Sequence, residues 1–332
     1  MGRALGRYSR VSLSLRLRYT RVALALSLCV SATCGERAAA ARRDTVVVYV
    51  AASLAPPVRA VADTFARRTG AVVLTESGGS LEHARKVTEL GRVPDVLVLA
   101  DYEVFPQLLV PAHVTWYAQF ARNRMVVAYT PRSRFANEIT GSNWREVLLR
   151  PGVEVGRPDP DRAPAGYRTL LLLQLAEAYY ADRGLAARLL AHAPPRNVRG
   201  NAAELAALLE AGELDYIFEY ESLARSHGFR YVTLPREIDL GDPSLSARYA
   251  SAKVRVSGSK PGDSTTFRGG PILYALAIPR AAPHPGPAAR FVRYLLSEGR
   301  ATLRRADVDV LDAPRVVGAG APEWLTAPAA TP

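Results

Sequence analysis

From residue 45 onward, short continuous apolar runs alternate with longer stretches whose apolar positions recur at helical spacing. Thr45-Val46-Val47-Val48-Tyr49-Val50 is β-branched and almost wholly apolar, the composition of a parallel strand buried on both faces. Ala51-Ala52-Ser53-Leu54 follows. From Pro57 to Arg68 the residues Val58, Val61, Ala62 and Phe65 then share one face of a helix. A second strand is predicted over Ala71 to Thr75, leading through Glu76-Ser77-Gly78-Gly79-Ser80 into a helix from Leu81 to Leu90. Asp95 to Ala100 reads as a third strand. Strand, short loop and helix in alternation predict an α/β doubly wound domain.

A second cycle follows the first. Met125 to Thr130 is predicted as a strand, with a Pro/Arg/Ser linker at 131–134. Val153 to Gly156 starts another strand, and the loop Arg157 to Ala165 leads into a helix through about Ala181. A helix over Ala202 to Ala211 precedes a strand over Leu214 to Phe218. Pro271 to Ile278 returns as a strand, and Ala288 to Arg305 closes the chain helically. The expected division is a leader at 1–43, a discontinuous lobe I at 44–125 and 271–320, and lobe II at 126–270. Lobe II includes a surface loop at 257–270, and 321–332 forms a tail. Two α/β lobes joined by crossings near Met125–Thr130 and Pro271–Ile278 make a hinged architecture with a cleft between them.

Charge changes this picture less than its total suggests. The net charge of +12 would by itself point to nucleic acid or a membrane surface. Residues 1–43, however, hold nine arginines against one acid, Glu36, and the rest of the chain is only mildly basic. No nucleic-acid partner is therefore expected. The leader reads as an export signal, with a basic segment ending at Arg21 and an apolar stretch from Val22 to Val30 too short to span a bilayer. Both cysteines, Cys29 and Cys34, lie in it, so the exported body would have no disulfide or thiolate chemistry. Cys34-Gly35 looks somewhat like a lipoprotein attachment site. The alternative is soluble release after the alanine run 38–41.

Candidate chemistry lies at strand ends. Ser53 and Ser80 each follow a strand directly before a helix, where open α/β sheets bind ligands. Helix N-termini there offer unpaired N–H groups and a positive dipole end to an anion. Helix capping by serine is the competing explanation for each. Asp159 to Arg168 is the equivalent loop of the second cycle, where the amides of Ala165 and Gly166 would open a helix. Asp215 to Glu221 sets carboxylates at the end of another buried strand, where exposed turn acids are the ordinary reading. The five histidines show no zinc spacing, and no nucleophile elbow, P-loop or dinucleotide fingerprint occurs. His83 is expected at the surface or as a cap, and Trp116-Tyr117 as packing.

The runs AASL (51–54), ESGGSLEHARKVTEL (76–90), DVLVLADY (95–102), FARNRMVVAYTPRS (120–133), PDPDRAPAGYR (158–168), EAGELDYIFEYES (210–222), LPREIDLGDP (234–243) and GGPILYALAIP (269–279) cover most of residues 45–310. In that combination and order the chain resembles the periplasmic molybdate/tungstate-binding proteins of ABC importers, in their archaeal-type branch. The resemblance implies a two-lobe, type II periplasmic-binding-protein fold. Each lobe would be a mostly parallel sheet flanked by helices, with the ligand in the cleft between lobes. It implies a monomeric, extracytoplasmic receptor without cofactor or catalysis that delivers molybdate or tungstate to a membrane permease, with a lipid anchor through Cys34 as a variant.

Ser53 and Ser80 match the family's two serines that donate hydroxyl and backbone hydrogen bonds to the oxyanion, and Ala165 and Ala202 match amide donors. Glu219 matches a glutamate that approaches the metal of the oxyanion, and Asp159 is the nearest candidate for a second carboxylate. Ala163 stands where the branch tends to carry an acid. The other readings are a receptor for sulfate or phosphate, and an exported α/β hydrolase using Ser53 or Ser80.

Overall fold

The computed structural model describes residues 44–257 and 262–326. The leader, with Cys29 and Cys34, lies outside the described residues, as does the end of the tail. Among the described residues no helix is long and apolar enough to cross a membrane.

The first βα unit forms as its pattern predicts. Strand β1 spans Thr45–Ala51 and helix α1 spans Ala55–Thr69, burying Val58, Val61, Ala62 and Phe65. The helix stops at Gly70, whose φ of 73° is open to glycine at no steric cost. Strand β2 (Val72–Gly78), helix α2 (Ser80–Thr88) and strand β3 (Val96–Leu99) complete the predicted series. Trp116–Asn123 forms strand β4, which its polar residues Gln119, Arg122 and Asn123 conceal from a hydrophobic-pattern reading. Strand β5 is Met125–Tyr129.

In the second half, β6 (Val155–Pro158) leads to helix α3 (Pro164–Tyr179), β7 (Val198–Arg199) to helix α4 (Ala202–Ala211), and then come β8 (Tyr216–Tyr220) and β9 (Arg230–Thr233). Strands β10 (Lys253–Ser257) and β11 (Ser264–Arg268) pair antiparallel. The surface loop expected at 257–270 is therefore largely a hairpin. Val254, Val256 and Phe267 are its buried face, with Phe267 stacked at 4.4 Å on Tyr167 of α3. Strand β12 (Ile272–Ala277) precedes two helices, α5 (Pro285–Leu296) and α6 (Arg300–Arg305), rather than one continuous helix. Strand β13 is Asp309–Gly318.

Two larger sheets organise these elements. One has the order β13-β4-β12-β3-β1-β2, the other β7-β6-β8-β5-β9. Both are mixed, which corrects the expectation of mostly parallel sheets. The strands followed by helices pair in parallel: β1 with β2 and β3, β6 with β7 and β8. The strands next to the crossings, β4, β12 and β5, enter antiparallel. A parallel pair needs a long crossover, usually a helix, whereas a chain that leaves one sheet for another and later returns need not re-enter in the same direction. Because β4 ends at Asn123 and β5 starts at Met125, the chain passes between sheets at Arg124, and it returns over Gly269–Pro271. Met125–Tyr129 and Ile272–Ala277 are sheet strands, not the connecting segments. Backbone bonds from Met125 N to Asp239 O and from Ile272 N to Leu240 O, both 2.8 Å, bind the two crossings to one turn.

Candidate functional site

Both sheets direct the C-terminal ends of their parallel strands toward one small cavity of about 20 Å³. Ser53 and Ser80 reach it from the first sheet, and Ala165, Ala202 and Glu219 from the second. A single buried water needs roughly 10–15 Å³ on the same measure, while organic ligands occupy pockets of roughly 300–1,000 Å³. The cavity is too small for anything the size of a sugar. No Lys or Arg lines it. A groove of about 720 Å³ is lined by Arg122, Arg124, Arg225, Arg236 and Arg304, but each of these pairs with an acid, Asp309, Glu221, Glu221, Asp242 and Asp312 in turn.

Ser80 is fully buried and is the first residue of α2, with Gly79 as its N-cap, so it does not cap the helix. Its Oγ accepts the Ala100 amide at 3.0 Å, which leaves the hydroxyl proton free to donate into the cavity. Ser53 sits in the tight turn Ala52–Leu54, also without a capping bond. It is hydrogen-bonded to the Tyr274 hydroxyl, which Asn123 and, at 3.0 Å, Ser222 Oγ also contact. The competing assignment of both serines as caps is thus not what their hydroxyls do.

From the other sheet, α3 opens with Pro164, which has no N–H, so Ala165 carries its first free amide. Helix α4 opens at Ala202 behind an Asn201 N-cap. Asn201 Oδ1 accepts the Glu204 amide at 3.1 Å, and Glu204 Oε2 accepts the Gly200 amide at 3.2 Å. Those bonds leave the Ala202 amide unused, and Ala202 lines the cavity.

Glu219, the penultimate residue of β8, is fully buried. Its Oε1 accepts the Tyr220 amide at 2.9 Å, and its Oε2 has no protein partner. Burial, only slightly offset by that amide, pushes its carboxyl up to about 8. At neutral pH the site therefore presents a neutral acid with a proton to give. The other acids of this strand end are differently placed. Asp215 accepts from the amides of Arg134 and Glu154 at 2.8 Å each. Glu221 is held at about 2: burial opposes its charge, but bonds from Arg124 and Arg225 outweigh that.

Asp159 is not brought to the cavity, contrary to its assignment as a second carboxylate. Its Oδ1 accepts the Asp161 amide at 2.8 Å, and its carbonyl accepts the Arg162 and Ala163 amides. It shapes the loop as a turn residue. The methyl of Ala163 occupies the wall instead.

Further polar contacts hold the two sides together around the site. Arg162 pairs with Glu82 at 3.3 Å, and Arg85 Nη1 donates to Asp161 O at 3.0 Å. Deeper, Asp101 Oδ2 accepts Tyr167 Oη at 2.5 Å and Arg168 Nε at 2.8 Å, while Arg168 also donates to the Gly270 carbonyl. Arg168 and Asp101 are both fully buried. Sequence reasoning missed this pair; the only local signal is an acid directly after a buried strand. His83 is also corrected. It is fully buried, stacked at 5.0 Å on Tyr49, with Nε2 3.1 Å from Val50 O, and burial keeps it neutral.

The model of the family described as bacterial extracellular solute-binding protein matches residues 46–306. An uncharacterized solute-binding protein of Petrotoga mobilis is 44% identical over 78% of this chain and 81% of its own. A molybdate/tungstate-binding protein of Pyrococcus abyssi is 31% identical over 86% of this chain and 90% of its own. Among solved structures, the sulfate-binding protein SubI from Mycobacterium tuberculosis superposes with a TM-score of 0.59 at 18% identity, over 81% of this chain and 88% of that one, a likeness of fold. Matched over most of its length and built as two sheets around one small cavity, the chain belongs to the bacterial extracellular solute-binding proteins.

Proposed function

We propose that this protein captures molybdate or tungstate between its two lobes and delivers it to the membrane permease of an ABC importer. The observation that carries the reading is the cavity itself: about 20 Å³, walled by hydroxyls, first-turn amides and a neutral carboxylic acid, with no cation. Such a wall spreads the charge of a dianion over many weak donors without desolvating a counter-charge. The relative from Pyrococcus abyssi, similar over nearly its whole length, bears a name that specifies the same ligands. Ser53, Ser80, Ala165 and Ala202 are the donors, and Glu219 faces the bound ion. The basic leader and apolar stretch at 1–43 support export, and Cys34 supplies the acylation site if the mature protein is anchored.

Sulfate is the second reading, since every tetrahedral oxyanion offers the same acceptors; size then decides. The hydrolase reading has no support in the site. His83 faces Val50 O with Nε2 and its Nδ1 is buried without a partner, while His227 Nδ1 contacts Glu210 Oε1 at 2.7 Å; neither histidine is bonded to Ser53 or Ser80. Native mass spectrometry of the purified protein with molybdate, tungstate and sulfate present together is the test. A molybdate or tungstate adduct in preference to sulfate is expected. Exclusive sulfate binding, or no adduct, would overturn the reading.

A further inference from the structure

Gly78 and Gly79 both line the cavity, and a side chain on either would meet a different neighbour. A Cβ on Gly78 would stand 2.9 Å from Cε1 of His83, so that glycine makes room within its own lobe. A Cβ on Gly79 would stand 2.9 Å from the carbonyl carbon of Arg162, and closer still to its oxygen. Arg162 belongs to the loop between β6 and α3, on the opposite side of the cavity. The backbone of Gly79, at φ −73° and ψ 141°, is extended and open to any residue. Its own chain therefore does not demand glycine. The partner lobe does.

We infer that Gly79 is a specificity-determining residue: its lack of a side chain sets how closely the 159–163 loop closes on α2, and hence the size of the oxyanion cavity. This rests on the oxyanion reading above and goes beyond it, because Gly79 need donate nothing to the ligand. The contact sits beside Ser80 on one side and beside Ala163, Pro164 and Ala165 on the other. The same seam carries Arg162 with Glu82, and Arg85 with the Asp161 carbonyl. Real Cβ atoms essentially never come within 3.0 Å of such a neighbour. In Gly79→Ala the loop must retreat, and the Ala165 amide retreats with it. Hydrogen bonds weaken steeply beyond about 3.2 Å, so the second lobe's donors are lost to a small anion before the first lobe's are.

The test uses wild type and Gly79→Ala with tungstate, molybdate and sulfate in calorimetry, and thermal unfolding with and without each anion. The unliganded variant is expected to unfold at the wild-type temperature, because alanine suits the backbone and the clash exists only when the lobes close. Its tungstate affinity should fall at least a hundredfold, the equivalent of one to two charge-assisted hydrogen bonds, and its ligand-induced thermal shift should shrink accordingly. The ratio of tungstate to sulfate affinity should also change. A variant with wild-type affinities and ratio would overturn the inference, as would a drop in unliganded stability that accounts for the whole loss.

A second readout needs no ligand. Cysteines introduced by Glu82→Cys and Arg162→Cys, joined by a short bifunctional thiol reagent, trap the closed form, and Gly79→Ala should slow that trapping at least tenfold. Equal trapping rates would sink the Gly79 assignment. Absence of anion binding by the wild type, with slowed trapping in the variant, would instead remove the oxyanion reading and leave the closure contact standing.

Discussion

Glu219 offers the sharpest quantitative test, because two chemistries predict opposite signs for it. A carboxylate about 4 Å from a dianion repels it by roughly 8 kcal/mol at an effective dielectric constant of about 20. That is too much for a site to carry, so Glu219 either holds a proton or gives an ionised lone pair to the metal. In this protein burial already keeps the group protonated, with its carboxyl at about 8. Its Oε2 is unpartnered in the protein. Among the described residues Glu219 is the one acid that lines the cavity; Ala163 stands in the wall, and Asp159 is turned into its own loop. The expected role is donation from Oε2–H to an oxyanion oxygen.

Binding is then independent of Glu219 ionisation below pH 7. Above about pH 8 it must take up one proton, so affinity should fall close to tenfold per pH unit, about 1.4 kcal/mol each. Glu219→Gln retains an N–H donor. It should keep affinity within a few-fold at pH 7 and lose the alkaline fall. Calorimetry from pH 6 to 10, repeated in buffers of different ionisation enthalpy, reads both the affinity and the proton uptake. Affinity that rises through pH 8, a large loss in Glu219→Gln, and a fifth W–O distance in tungsten-edge X-ray absorption would refute the donor role and establish coordination.

The same raised carboxyl bears on stability. The folded state binds a proton that the unfolded chain releases above about pH 4.3, so Glu219 lowers stability progressively as pH rises from there through about 8. Glu219→Gln should therefore raise the unliganded melting temperature at pH 8 more than at pH 5, and equal shifts would contradict its burial as an acid. Replacing both Ser53 and Ser80 by Ala should weaken oxyanion binding by roughly two to four decades with the fold intact, from about 1.5–3 kcal/mol per charge-assisted bond; near-wild-type calorimetry would remove the site. Arg168→Ala leaves Asp101 buried and uncompensated, and should cost about 3–5 kcal/mol in denaturant unfolding; a loss under 1 kcal/mol would mean water replaces the guanidinium. Saturating tungstate should reduce the small-angle scattering radius and raise thermal stability, as binding to one closed state requires; identical radii would count against closure.

Much of the scaffold is legible in the chain because it is local. β1, α1, α2, β3 and α4 follow from apolar runs and helical spacing, and the serines stand at strand ends by sequence alone. β4 and β13 are not legible. Gln119, Arg122 and Asn123 break the apolar pattern of β4, and Pro314 together with a register break between Val310 and Arg315 disguises β13. The stretch 257–270, which holds β11, reads as a loop, because the buried face of β10 and β11 packs on α3, far away in sequence.

The sequence alone determined which residues are small, apolar or hydroxyl-bearing at each strand end; that no Arg of the same loops lines the cavity came only with folding, which pairs Arg162 with Glu82 and Arg168 with Asp101. The tertiary structure decided which of them meet. It turned Asp159 into its own loop, buried His83 against Tyr49, and set Arg168 beside Asp101. It also gave Gly79 its purpose, through a carbonyl 83 positions further along the chain. The physical reason is that propensity and periodicity act over a few residues, whereas desolvation, ion pairing and steric apposition depend on neighbours that only folding brings together.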